Sequence, residues 1–133
     1  MSKTSSFTDL RMWQQAHHFV LETYKATTNF PKQELFGLVS QFRRAAVSIP
    51  ANIAEEYKRL SKTEKLRFFN IAQGSLEECR YYIILSTDLN YIDRNQFDKL
   101  NQQIIETSKS LNSYCEKLII DRQEIKVATL TSK

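Results

Sequence analysis

Two glycines and two prolines are all that interrupt this chain of 133 residues, and their scarcity restricts the fold more than any motif does. Sheets and loop-rich folds spend those residues on many turns, whereas a helical bundle needs only three short connections. The expectation is therefore an all-α fold. The length suits a single domain with a real core, too short for two.

Apolar residues recur at helical spacing in four segments. The first spans about Asp9 to Thr28, with Leu10, Trp13, Val20, Leu21 and Tyr24 as its expected buried stripe and Asp9 as its cap. Phe30-Pro31 stops it, because a residue before proline is pushed out of the helical region. The second spans about Lys32 to Arg59, and its stripe is Leu35, Leu38, Val39, Phe42, Ala46, Ile49, Ile53 and Tyr57. Pro50 lies inside that stripe and costs an undistorted helix about 3 kcal/mol, so a kink is expected there.

Ser61 to Glu64 reads as a capping box that opens the third helix, about Lys62 to Leu89. Its expected stripe is Phe68, Phe69, Ile71, Ala72, Leu76, Cys79, Tyr82 and Ile83. Leu66, Tyr81, Ile84 and Leu85 fall largely outside it, a surplus of apolar surface that a monomeric bundle does not use. Asp93 and Gln96 repeat the box before the fourth helix, about Arg94 to Ile120. There Phe97, Leu100, Ile104, Thr107, Leu111, Tyr114 and Leu118 form a heptad seam suited to left-handed packing. The pattern predicts an up-and-down antiparallel bundle over residues 1–120, followed by a frayed tail over 121–133. No internal repeat or low-complexity segment is visible.

Met1 to Thr8 lack the basic-then-apolar order of a secretory signal, and the longest apolar run, Tyr81 to Leu85, is far too short to cross a bilayer. A cytoplasmic protein without membrane contact is expected. Cys79 and Cys115 stand among apolar neighbours and read as reduced core thiols.

Searching for chemistry returns no catalytic, metal or cofactor site. A bundle that holds two irons projects Glu-x-x-His pairs inward, and none occurs here. His17 and His18 are adjacent, so on a helix they diverge by about 100° and cannot share an ion. Gly74-Ser75 lacks the surrounding glycines of a nucleophile elbow or phosphate loop, and fits a close helix approach instead. Glu55-Glu56 and Glu77-Glu78 have basic neighbours and read as surface pairs.

Two features remain. The net charge of +4 is concentrated between Lys58 and Arg67, where Lys58, Arg59, Lys62, Lys65 and Arg67 face the single acid Glu64. Such a cluster, with Arg43 and Arg44 as additions, is either a solvated loop or a phosphate-binding patch. No aromatic side chain interleaves with it in sequence, so base stacking is not expected. The second feature is a polar seam, Gln41, Arg44, Ser48, Asn52, Glu55 and Arg59, stepping by three and four along the second helix. It is either solvated, or buried between subunits or against a partner.

The run from Gln41 to Glu55, QFRRAAVSIPANIAE, resembles the signature of the four helix bundle protein family, the intervening-sequence proteins of bacterial large-subunit ribosomal RNA. Phe30-Pro31 before it, and Phe68 to Ala72 and Gly74 to Glu77 after it, are similar to the family's other blocks in the same order. The resemblance implies a ring-like homopentamer without enzyme activity, some members being encoded inside intervening sequences of ribosomal RNA operons. The chain is also similar to the accessory variability determinant protein of diversity-generating retroelements, which implies a nucleic-acid or reverse-transcriptase partner. The family often has glycine after the Ala-Glu pair, where this chain has Glu56. Two functions follow as expectations. One is a homo-oligomer that binds structured RNA or DNA through a repeated basic patch; the other is a protein-interaction scaffold using the polar seam with Leu66, Tyr81, Ile84 and Leu85.

Overall fold

The computed structural model describes residues 6–131, with side chains through Ile120. Four helices carry the structure, α1 Arg11–Thr27, α2 Ser40–Tyr57, α3 Lys62–Asp88 and α4 Arg94–Thr131, and no strand occurs among the described residues. Each helix packs against its neighbours in chain order, and α1 closes the square against α4. The result is a four-helix bundle whose centre is filled by Phe19, Phe42, Phe69, Ile49, Ile53, Leu76, Ile83, Leu100, Ile104 and Leu111.

The seam of α4 falls where its heptads place it, with Leu100, Ile104, Thr107 and Leu111 buried and Phe97, Tyr114 and Leu118 packed at its margins. The helix runs on to Thr131, beyond the end expected at Ile120, because no glycine or proline between Asp121 and Thr131 stops it. How the side chains of that extension pack lies outside the described residues.

In α1 the phase differs from expectation. Leu21 and Tyr24 are exposed, while Met12, Ala16, Phe19, Thr23 and Ala26 line the core. The buried face of α1 thus mixes the bulky Met12, Phe19 and Val20 with the small Ala16, Thr23 and Ala26, and only Leu21 and Tyr24 of the expected stripe turn outward. In α3, likewise, Ile71 is exposed and Phe68 only half-buried.

The expected second helix does not run unbroken from Lys32. A 3-10 turn over Lys32–Glu34 and a π-helical turn over Leu35–Val39 precede α2, and Gly37 leaves helical geometry with φ −108° and ψ −109°. Leu35 consequently turns out to solvent instead of joining the core. Pro50 lies within α2, is buried, and the helix continues through it to Tyr57.

Local chemistry sets the ends. Ser61 accepts the Glu64 amide at 3.1 Å, so the serine half of the first capping box forms, while the Glu64 carboxylate turns to Arg67. The second box closes on both sides: the Gln96 amide donates to Asp93 Oδ1 at 2.8 Å and the Asp93 amide to Gln96 Oε1 at 2.9 Å. Between them α3 ends in a left-handed Asn90, φ 61°, with Asn90 and Tyr91 amides donating back to Thr87 and Ser86 carbonyls. That pair of bonds is the Schellman pattern with asparagine in place of glycine.

Candidate nucleic-acid and assembly surfaces

The basic segment forms the corner where α2 turns into α3. Lys58 and Lys62 flank this turn, no carboxylate among the described residues pairs with either, and Leu60 at its tip is fully exposed. Arg59 Nη2 donates to Glu55 Oε2 at 2.6 Å, and Arg67 sits 3.5 Å from Glu64. Both guanidiniums also lie over one ring, Arg59 at 4.8 Å and Arg67 at 5.6 Å from the centroid of Phe68. Folding brings Arg59 of the turn onto the ring that already follows Arg67 in the chain, so one aromatic lies among the cations.

Lys65 does not belong to this patch. Its ammonium turns inward, donating to Glu56 Oε1 at 3.0 Å and to the Glu56 carbonyl at 3.2 Å. Glu56 itself is fully buried, and its Oε2 has no partner among the described residues. The surface-pair reading therefore fails for Glu56. Burial pushes its carboxyl above the ordinary value, against the opposing pull of Lys65. The sequence held the signal: Glu56 continues the buried series Phe42, Ala46, Ile49, Ile53, and Lys65 stands one turn before Phe69 on the buried line of α3. Glu55 and Glu56, just upstream, reduce the local excess from +4 to +2.

Arg43 and Arg44 lie far from that corner, about 22 Å along α2 from Arg59 at 1.5 Å per residue. Arg43 is held against α1, its Nε donating to Thr27 Oγ1 at 2.9 Å and its guanidinium lying 4.5 Å over the Tyr24 ring. Arg44 is exposed.

Much of the polar seam is occupied within the chain. Ser75 Oγ of α3 donates to Ser48 Oγ at 2.8 Å, Asn52 donates to the same oxygen at 3.0 Å, and Tyr82 OH shares its proton between Glu78 Oε2 at 2.8 Å and Gln41 Oε1 at 3.1 Å. Ser75 thus sits at the α2–α3 contact, whereas Gly74 faces outward with nothing within 4 Å of where its Cβ would stand, so the expected close helix approach does not involve it. Of the surplus apolar residues on α3, Tyr81 and Ile84 are exposed, whereas Leu66 is half-buried and Leu85 packs against the core.

A second buried carboxylate was not anticipated. Glu22 of α1 receives Lys99 of α4 at 3.0 Å and Lys25 at 3.6 Å, with His18 at 4.0 Å. The Lys99 hydrogen bond leads the effects that hold its carboxyl below the ordinary value. His17, meanwhile, stacks on Trp13 at 4.9 Å.

Among the described residues, no three His, Cys, Asp or Glu side chains converge to hold a metal. Both cysteines are free and buried; burial raises the Cys79 thiol well above its usual range and Cys115 to about 11, so neither is an activated thiolate. Among the described residues, no helix is long and apolar enough to cross a membrane.

Comparison with known proteins agrees with this architecture. The family model described as 23S rRNA-intervening sequence protein matches residues 8–113. A crystal structure of a protein with unknown function from the S23 ribosomal protein family, from Bacteroides thetaiotaomicron, superposes with a TM-score of 0.73 at 25% sequence identity, covering 79% of this chain and 95% of that one. No curated protein matches the chain.

Proposed function

The chain belongs to the 23S rRNA-intervening sequence protein family, and from that premise we propose that it is a non-enzymatic, cytoplasmic homo-oligomer that binds structured RNA or DNA electrostatically. The observation that carries this reading is the α2–α3 corner, where an exposed Lys58 and a half-exposed Lys62, unpaired with any carboxylate among the described residues, share one turn with Arg59 and Arg67, the two guanidiniums over the Phe68 ring. Repetition of the corner around a ring-like assembly, a pentamer by family resemblance, multiplies weak phosphate contacts into useful affinity.

The test is titration of duplex and single-stranded oligonucleotides against the full chain at several salt concentrations. Log affinity is expected to fall linearly with log salt, by about 0.9 per phosphate neutralised on a duplex. Lys58→Ala with Lys62→Ala should lower that slope by about 2 per corner engaged. Flat salt dependence, or a slope indifferent to those substitutions, removes the reading. A protein partner that survives nuclease treatment would favour the scaffold function instead.

A further inference from the structure

Two surfaces of the bundle that carry exposed apolar side chains have no cover within the described chain, and they differ in charge. The first is a groove of about 640 Å³ between the end of α1 and the start of α2, lined by Tyr24, Leu35, Phe36, Val39 and Val47. Phe36 is 92% exposed, carried on the π-helical turn that ends the irregular approach to α2. Because Arg43 is tied to Thr27 and Tyr24, the open cation of this groove is Arg44, which no carboxylate among the described residues pairs.

The second surface is a stripe on α3. Glu77, Tyr81, Ile84 and Asp88 step by four, three and four, so they form one line along the helix, and all four are exposed. Glu77 is shared with Arg80 at 3.2 Å, and Asp88 has no cation partner among the described residues. Gly74 precedes the stripe by one turn, and nothing lies within 4 Å of where its Cβ would stand, which leaves room for a foreign side chain against the backbone.

The two surfaces lie at the same level of the bundle. Gln41 bonded to Tyr82 sets the start of α2 beside the end of α3, and Arg43 bonded to Thr27 sets the end of α1 beside the same stretch of α2. A rotation about an axis parallel to the helices therefore carries groove onto stripe without a shift along that axis. Such a contact closes a ring and does not grow a filament. Self-pairing of the groove across a two-fold axis would instead set Arg44 against Arg44 and leave the stripe bare.

We infer that the Phe36 groove of one copy receives the Glu77 to Asp88 stripe of the next, in a head-to-tail contact between copies of this chain with Arg44 facing the acids. The inference rests on the homo-oligomer proposed above and names its interface. A two-faced contact has a signature that a self-paired one lacks. Phe36→Asp spoils only the groove and Tyr81→Asp only the stripe, and both positions are solvent-exposed in the single chain, so helicity by circular dichroism should match the parent.

Native mass spectrometry of the full chain at micromolar concentration is the measurement. The parent is expected as a closed oligomer, each variant alone as a monomer, and an equal mixture of the two as a one-to-one dimer through the remaining intact pair of faces. Arg44→Glu should also weaken assembly, and combining it with Asp88→Arg should recover part of it. A monomeric parent would overturn the oligomer itself. An oligomeric parent with both variants still assembled would overturn this interface alone and leave groove and stripe to a different protein. Dissociated variants that form no mixed dimer would overturn the head-to-tail arrangement.

Discussion

Glu22 and Glu56 are both buried glutamates held by lysines, yet their carboxyls are displaced in opposite directions. Glu22 keeps a sliver of solvent, engages both oxygens and gathers Lys99, Lys25 and His18 around it. Glu56 is sealed completely and, among the described residues, meets only Lys65 and leaves one oxygen unpartnered. Several cations at a partly wet site favour the charged form, so the Glu22 carboxyl is lowered. One cation at a dry site does not offset the loss of water, so the Glu56 carboxyl is raised. What separates the two sites is the completeness of compensation, and the presence of a lysine alone decides little.

The harshest way to break the comparison is to remove the one cation that Glu56 has. Lys65→Met leaves a carboxylate buried and unpaired, and a loss of about 3–5 kcal/mol is expected from urea unfolding at pH 8. The loss should shrink at pH 5, where the stranded carboxyl takes a proton. A loss under about 1 kcal/mol at pH 8 would mean that Glu56 reaches water or another donor, and that the two sites are alike after all.

Glu22→Gln probes the better compensated site and should cost less, about 1.5–3 kcal/mol at pH 7, the range for hydrogen bonds to charged groups. The lowered carboxyl also fixes the sign of its pH dependence. Its contribution is fully present above the ordinary value of 4.5 and is lost as pH falls through the lower folded value, so the deficit of the variant should close on acidification. A deficit that instead widens toward acid would show that Lys99 is not what holds Glu22 charged.

The same pair shows how far the sequence was legible. Four helices, the α4 heptads and the second capping box follow directly from spacing, because each depends on residues near one another in the chain. The inward turn of Lys65 was also written there, one turn ahead of Phe69, but a cluster of five cations draws attention to its net charge and away from helical phase. Local spacing does not separate the core-facing large side chains from the outward ones. Leu21, Tyr24, Leu35 and Ile71 are exposed, while Ala16, Thr23 and Thr27 are buried, because helical phase relative to the neighbouring helices, and not side-chain size, sets which positions face the core. The reach of Arg59 onto Phe68, and the partnering of Ser48 and Gln41 with α3, are tertiary facts that no single helix encodes. The break at Gly37 had a local cause, but the apolar residues around it looked like one unbroken stripe.

The gentlest test keeps the shape of the dry site and removes only its charge. Glu56→Gln preserves the carbonyl and a side-chain oxygen for Lys65, and Lys65 retains enough exposure to share its charge with water. A carboxyl whose folded value is raised contributes its full stability below 4.5 and loses it as pH climbs through that folded value. The glutamine has nothing to ionise. Parent and variant should therefore be nearly equal at pH 4, with the variant gaining on the parent to about 1 kcal/mol by pH 8. Urea midpoints taken across that range, at unchanged slope, measure the difference. If the variant instead falls behind as pH rises, the attraction of Lys65 exceeds the cost of burial, and Glu56 is a second Glu22 with fewer partners.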